Sequence, residues 1–271
     1  MNVERPRFLP DPDLDREEME AQQRAVAEIA TFGDGLDLAA SDLWLDDPLD
    51  LPPNPSPGTE DPRSPVVVGV DQAFTDEEAV SVAVAIRDGT VVDVAAGREP
   101  LEIPYIPGLL AFREAGAIVD ALTRLAIDPD LLVLDGSGRI HYRQAGIATH
   151  VGVLFAVPAI GVAKSLLCGR PERSLSAPLP EGTRVPILAD AEVETDPGTV
   201  IGYAYQSRQF PRPATRHVNP LFVSPGHLIG PATTVDVVEA LCAGYKLPEP
   251  TRLADRAVDR CVKGELSDCG E

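Results

Sequence analysis

The feature that most constrains the fold is a short apolar run that ends in an acid. Residues 131–134 are all leucine or valine, Asp135 closes the run, and Gly136-Ser137-Gly138 follows at once. Such a run bounded by turn residues predicts a buried strand. Open α/β sheets keep their sites at the carboxyl ends of strands, which makes Asp135 a candidate site residue. The alternative is that Asp135 only begins the turn.

Further strands are predicted upstream, and the first of them also ends in an acid. Residues 66–70 are apolar and lead into Asp71. Residues 79–87 and 90–99 alternate in strand fashion and are joined by Asp88-Gly89, a hairpin dipeptide. A helix over residues 107–126 then precedes the strand that ends at Asp135. Strands followed by helices predict an α/β fold.

Glu114 lies inside the apolar stripe of that predicted helix. Leu110, Ile118, Ala121 and Leu125 recur at helical spacing, and Glu114 stands four residues from each of the first two. A carboxylate that faces a core is costly unless it is paired or binds a metal. It is therefore either a ligand or a glutamate at the rim of the stripe.

Two more candidates follow apolar runs later in the chain. Lys164 ends the run over residues 157–163 and is one of only three lysines. His227 lies in a turn after residues 221–223; taken alone it is more typical of a surface turn. Three acids from separate elements supply hard oxygen ligands, which suit Mg²⁺ or Mn²⁺ and the chemistry of phosphate displacement. A lysine and a histidine nearby would bind phosphate or stabilise a leaving oxyanion.

The chain is expected to have an appended amino-terminal region. Residues 13–32 predict a helix, so residues 1–35 should form a helical segment packed on the core. Residues 36–65 contain seven prolines without an apolar period and predict an acidic linker or insert. The catalytic domain is expected over residues 66–262, with residues 248–261 interpreted as a polar tail rather than a helix. Residues 263–271 form the terminal tail.

The net charge of −20, from 43 acidic and 23 basic residues, indicates the salt concentration in which the protein works more than the molecule that it binds. An acidic surface argues against nucleic acid, whose phosphates attract lysine and arginine. In molar salt the Debye length falls to about 3 Å, so an acid-rich, lysine-poor chain suits a halophilic setting. The chain lacks a signal-peptide pattern and a long apolar run, so we expect a cytoplasmic protein that does not enter the membrane.

Six stretches between residue 66 and about residue 255 carry a resemblance to a known family. In chain order they are VGVDQAF, PYIPGLLAFRE, LLVLDGSGRIHYRQAGIATHVG, PAIGVAKSLL, FVSPGHLI and PEPTRLAD. They resemble endonuclease V, a repair nuclease that nicks DNA near deaminated adenine. The resemblance implies an RNase H-like mixed sheet flanked by helices. Together with the acidic, lysine-poor composition, it predicts an endonuclease V from a halophilic archaeon.

The resemblance also implies roles for single residues. Asp71 and Asp135 would bind the metal ion, with Glu114 as the third acid. The expected ion is Mg²⁺, which Mn²⁺ could replace. His227 would complete the catalytic site, and Lys164 would lie near the cleaved phosphate. Tyr105 would be the wedge that fills the gap left by the extruded base. The turns that line the base pocket would contain Gly108, Gly136 and Gly138, and the histidine of the nearby loop would be His141.

Three functions remain open at this point. The first is a metal-dependent endonuclease that hydrolyses DNA 3′ to deoxyinosine and leaves 3′-hydroxyl and 5′-phosphate ends. The second has the same chemistry with inosine in RNA as substrate, since contacts to 2′-hydroxyls are local. The third is a nucleic-acid-binding protein that does not cut, although none of the three acids is missing. Tyr142 replaces the proline that the family usually has after the loop histidine. We expect a monomer.

Overall fold

The centre of the protein is a mixed sheet. The computed structural model describes residues 1–35, 38–53, 55, 61–101, 108–212 and 216–265. Within these ranges nine strands are joined in the order β3-β2-β1-β4-β5-β9-β8-β7-β6. The strands are β1 (Val67–Phe74), β2 (Glu78–Arg87), β3 (Thr90–Pro100), β4 (Leu131–Asp135), β5 (Ala159–Ala163), β6 (Arg170–Pro171), β7 (Arg184–Leu188), β8 (Val200–Tyr205) and β9 (Leu221–His227).

The middle of the sheet is parallel and its two sides are antiparallel. β1 pairs in parallel with β4, and β4 with β5. β2 and β3 form the predicted hairpin, with Asp88 and Gly89 at positive φ of 48° and 68°. Positive φ at both central residues is what a type I′ turn requires, which explains why Asp-Gly occupies this position. The parallel strands bring the carboxyl ends of β1 and β4 to one edge.

Helices cover both faces of the sheet. Val68 and Val70 pack with the helices of one face, whereas their neighbour Val67 belongs to the cluster on the other. This alternation follows from the two-residue repeat of a strand. On the first face lie α1 (Arg16–Ile29), α2 (Leu110–Arg124) and α3 (Ile147–Phe155); on the second lie α4 (Pro231–Ala240) and α5 (Glu249–Val262). Within the described ranges, each helix is too short or too polar to cross a membrane.

Residues 36–65 were predicted to be a linker or insert, and residues 38–53 of this range are packed on the core. This stretch lies against the second face of the sheet, with Leu43 and Leu51 buried among core residues. Trp44 is 60% exposed, so the leucines rather than the tryptophan hold the segment. Prolines prevent a helical or strand period here, but they do not prevent spaced leucines from being buried.

The prediction of a polar tail over residues 248–261 was wrong, because residues 249–262 form the helix α5. Pro250 lies in its first turn, where the missing N–H costs nothing. Its polar appearance arises because most of the buried positions are small, while arginines and aspartates fill the rest. The residues that α5 buries in the core are Leu253, Ala254, Ala257, Val258 and Cys261.

Candidate active site

Two aspartates lie side by side at the edge of the sheet. The parallel pairing of β1 and β4 runs to Val70 opposite Leu134, so the next residues, Asp71 and Asp135, lie side by side where this pairing ends. Asp135 ends β4, whereas β1 continues to Phe74 against β2. Asp71 is only 8% exposed. The prediction that a strand ends at Asp135 agrees with the structure, whereas the prediction that the first strand ends at Asp71 was wrong, because β1 continues against β2 for three more residues.

A lysine from the third parallel strand joins them. Lys164 follows β5 directly, and its Nζ donates a hydrogen bond of 2.7 Å to Oδ2 of Asp135. Burial lowers the pKa of Lys164, but the hydrogen bond and the charge of Asp135 outweigh that effect and raise it above its usual value. The side chain is therefore an ammonium ion at neutral pH, placed beside the two acids.

The sequence interpretation missed a fourth acid, Asp255. It lies on α5, and its Oδ1 is 4.0 Å from Nζ of Lys164. The helix reaches the site because it packs closely on β1: a Cβ atom at Gly69 would meet the carbonyl oxygen of Pro250 at 2.0 Å. Only glycine allows that approach. The signal that could have revealed this helix was the helical spacing of its apolar residues, Leu253, Ala254, Ala257, Val258 and Cys261.

Glu114 faces the same edge from α2. It is 8% exposed, and Nε2 of Gln72 donates a weak hydrogen bond of 3.4 Å to its Oε2. The other amide atom, Oε1 of Gln72, is buried and has no hydrogen-bond partner within the described residues. Of the two roles open to Glu114, the structure supports a place at the site rather than an exposed rim.

The two buried acids have strongly raised pKa values. Burial, followed by the charge of Asp135, raises the pKa of Asp71 to about 8. Burial also raises the pKa of Glu114 to about 7, against the opposing effect of Arg113. Carboxylates removed from water in this way are stabilised by a nearby cation.

The residues at this edge suit a hard divalent cation. The donors are carboxylate oxygens, together with the unpartnered amide oxygen of Gln72, and oxygen ligands are what Mg²⁺ and Mn²⁺ prefer. In the part of the chain that the structure describes, no three acid, histidine or cysteine side chains lie close enough to surround an ion. The chemistry of the donor atoms therefore fits the ion, although the described side chains are spaced too widely to surround it.

His227 is not at this edge, contrary to the sequence prediction. It pairs with Ala159 at the start of β5, whereas Asp135 lies opposite Val162 near the end of that strand. Its Nδ1 accepts a hydrogen bond of 3.2 Å from the backbone N–H of Thr31. Burial lowers its pKa to about 4, so it is neutral. The geometry gives His227 a structural role, joining residues 1–35 to the core.

A small apolar cavity lies next to the acids, and most of the predicted pocket residues line it. Gly108, Gly136 and His141 lie in its wall, together with the side chains of Leu110, Ile147 and Leu167 and others. Gly138 does not line it; a Cβ atom there would meet the carbonyl oxygen of Pro225 at 2.4 Å, so this glycine allows close packing on β9. The predicted wedge, Tyr105, lies outside the described residues.

Comparison with known proteins identifies the family. The family model for endonuclease V matches residues 56–256. The endonuclease V of Halobacterium salinarum is 58% identical over 266 residues, covering 94% of this chain and 98% of that protein. The crystal structure of endonuclease V from Streptomyces avermitilis is 33% identical, with a TM-score of 0.69 and coverage of 93% and 95%.

A third comparison concerns the fold alone. Endonuclease V from Ciona intestinalis, solved in complex with a 24mer DNA containing an inosine followed by a ribo-adenosine, is 23% identical with a TM-score of 0.67. The alignment covers 92% of this chain and 98% of the Ciona intestinalis chain. These structures share an RNase H-like fold, which confirms the predicted fold class. The chain therefore belongs to the endonuclease V family.

Proposed function

We propose that this protein hydrolyses a phosphodiester bond of DNA 3′ to deoxyinosine, leaving 3′-hydroxyl and 5′-phosphate ends. The observation that carries the proposal is the pair Asp71 and Asp135, side by side where the parallel pairing of β1 and β4 ends, near an apolar cavity. The inosine-containing DNA bound by the Ciona intestinalis relative supports the choice of substrate. The monomeric state stays a prediction from the sequence.

A divalent cation, Mg²⁺ or Mn²⁺, is the proposed cofactor. Asp71 and Asp135 would hold it, with Glu114 and Asp255 completing the acidic surroundings. When bound, the ion would supply an activated water for attack and would offset negative charge on the phosphate. The raised pKa values of Asp71 and Glu114 support this assignment, because a cation would return both groups to their charged forms.

Lys164 would act on the phosphate rather than on the water. Its pKa is raised, so at neutral pH it cannot serve as a base. Asp135 holds its ammonium group at 2.7 Å and directs it to the edge of the sheet where the phosphate must lie. From that position it would stabilise the negative charge that develops on the leaving oxygen.

The cavity would receive the extruded base. Its apolar side chains offer packing surfaces for the base, and the backbone at Gly136 offers polar groups at close range. Removing a mispaired hypoxanthine from the duplex costs less than removing a paired base, which adds selectivity. The assignment of Tyr105 as the wedge stays a prediction from the sequence.

Inosine in RNA is the second candidate substrate, and it shares every feature of the site. The test compares four oligomers of one sequence, with deoxyinosine or inosine, each as a single strand and as a duplex. Cleavage is measured at high KCl with Mg²⁺, with Mn²⁺ and with EDTA. The proposal requires cutting of the deoxyinosine strands that EDTA abolishes. Selective binding without cutting would favour a nucleic-acid-binding protein, and a strong preference for RNA would favour the ribonuclease.

A further inference from the structure

The carbonyl oxygen of Gly108, in the wall of the cavity, has no free lone pair. Nε2 of Gln23 lies 2.8 Å from this oxygen, and Nε2 of His141 lies 3.1 Å from it. A backbone carbonyl accepts two hydrogen bonds, so these two donors use its capacity. Gln23 is completely buried although it belongs to α1, an element outside the sheet that carries the acids.

The protonation of His141 makes it a donor to this carbonyl. Nδ1 of His141 accepts a hydrogen bond of 3.2 Å from the backbone N–H of Arg143. Burial lowers the pKa of His141 to about 4, so the ring carries one proton at neutral pH. With Nδ1 accepting, that proton must lie on Nε2, where it points to Gly108.

The amide orientation of Gln23 is fixed in the same way. Its Oε1 accepts a hydrogen bond of 3.2 Å from Nη1 of Arg143. Arginine can only donate and the Gly108 carbonyl can only accept, so a flipped amide would lose both bonds. Arg143 is itself held by Glu20 of α1, at 2.7 Å. The side-chain amide of Gln23 is therefore fixed by both of its polar atoms, Nε2 through Gly108 and Oε1 through Arg143.

An occupied carbonyl matters because of the chemistry that separates hypoxanthine from adenine. Adenine presents an amino group, which donates hydrogen bonds, where hypoxanthine presents a carbonyl oxygen, which only accepts. A free carbonyl in the pocket wall would accept from the amino group and favour the undamaged base. Building the site so that the wrong partner finds no acceptor is a recognised route to specificity.

We infer that Gln23 is a specificity-determining residue that, together with His141, keeps the Gly108 carbonyl from accepting the amino group of adenine. This inference rests on the proposed function, since it assigns the cavity to the base. Gln23 does not touch the reacting atoms and acts as a positioning residue. It also explains why the amino-terminal helix belongs to the recognition site rather than serving only as an appendage.

The test uses single-stranded oligomers whose only purine is the test base, either hypoxanthine or adenine. Two variants separate the contacts of Gln23: Gln23→Leu removes both, whereas Gln23→Glu keeps an acceptor for Arg143 and loses the donor to Gly108. We expect both variants to lower the hypoxanthine-to-adenine ratio of kcat/KM by about tenfold, the effect of one hydrogen bond. Gln22→Leu is the control, because Gln22 lies on the same helix and, among the described residues, its side chain donates to the carbonyl of Arg7 and not to the cavity wall.

A merely structural role would slow the cutting of both oligomers equally, leave the ratio unchanged and overturn the inference. A lower ratio in Gln23→Leu alone would also overturn it, since the contact with Arg143 would then be responsible. The ratio of dissociation constants for the two strands, measured in EDTA, gives the same comparison without cutting. Wild-type protein that binds the hypoxanthine strand selectively but does not cut it would refute the proposed function and leave the binding ratio to decide the role of Gln23.

Discussion

At the scale of single residues, ionisation of Asp71 destabilises the metal-free protein. Its pKa in the fold, about 8, exceeds the ordinary value of 3.8, so the native state binds more protons than the unfolded state between these pH values. Stability of the metal-free protein therefore rises as the pH falls from 8 towards 4. We expect Asp71→Asn to raise the melting temperature in EDTA at pH 8 by roughly 5 °C and to abolish nicking.

Thermal melts in EDTA and a nicking assay with Mg²⁺ check this expectation. Asp135→Asn is the matched control, because Asp135 already has the ammonium of Lys164 as a partner and should gain less stability from the change. A lower melting temperature for Asp71→Asn, or nicking by this variant, would remove Asp71 from the proposed metal site.

A second prediction at this scale separates Asp255 from His227. Asp255 lies beside Lys164, whereas His227 lies at the far end of the sheet and binds the backbone of Thr31. Asp255→Asn should lower cleavage by at least roughly a hundredfold with little change in melting temperature. His227→Leu should retain most of the activity and lose about 1–3 kcal/mol of stability, because the N–H of Thr31 is left without its acceptor. The reverse pattern in kcat and melting temperature would restore His227 to the site.

At the scale of elements, a buried ion pair joins residues 38–53 to α5. Arg252 donates to both carboxylate oxygens of Glu249, at 2.6 and 2.5 Å. The same two side chains hold the backbone of Leu49, whose N–H donates to Glu249 and whose carbonyl accepts from Arg252. This clamp holds the segment against the first turns of the helix that carries Asp255.

Breaking one side of the clamp should be costly. We expect Arg252→Met to lower the free energy of unfolding by about 3–5 kcal/mol, because it leaves the fully buried carboxylate of Glu249 without its partner. Urea unfolding at constant KCl measures the loss. Arg16→Met, which breaks an exposed pair with Glu20, is the control and should cost less than about 1 kcal/mol. Equal losses of free energy of unfolding in the two variants would show that the buried ion pair stabilises the protein no more than the exposed pair does.

The elements that could be predicted from the sequence are those with a local signal. The runs before Asp71 and Asp135 and the Asp88-Gly89 turn carry their patterns within a few residues, and the structure agrees with them. The position of His227 depends on the register of β9 against β5, which no local pattern records. Asp255 was missed because the apolar stripe of α5 is narrow and most of its members are small, so the polar residues of the helix dominate the pattern.

At the scale of the whole molecule, the charge of −20 makes stability depend on salt. Repulsion among acidic side chains opposes the compact state in dilute buffer, and salt screens it. We expect the melting temperature to rise as KCl increases towards molar levels. Binding to DNA should weaken over the same range through counterion release, so nicking should pass through a maximum. A protein that is most stable and most active in dilute buffer would refute the halophilic interpretation.

The order of strands also has a consequence for how the molecule opens. β1, β4 and β5 have neighbours on both sides, whereas β6 has two residues and pairs only with β7. Rare openings begin where backbone bonds are fewest, so deuterium should replace amide protons first in residues 170–188 and last in residues 67–70 and 131–134. Mass spectrometry of peptides after transfer to heavy water would show this gradient. The carboxylates thus stand on the part of the chain that is last to come apart, and partial opening of the outer strands leaves them in register.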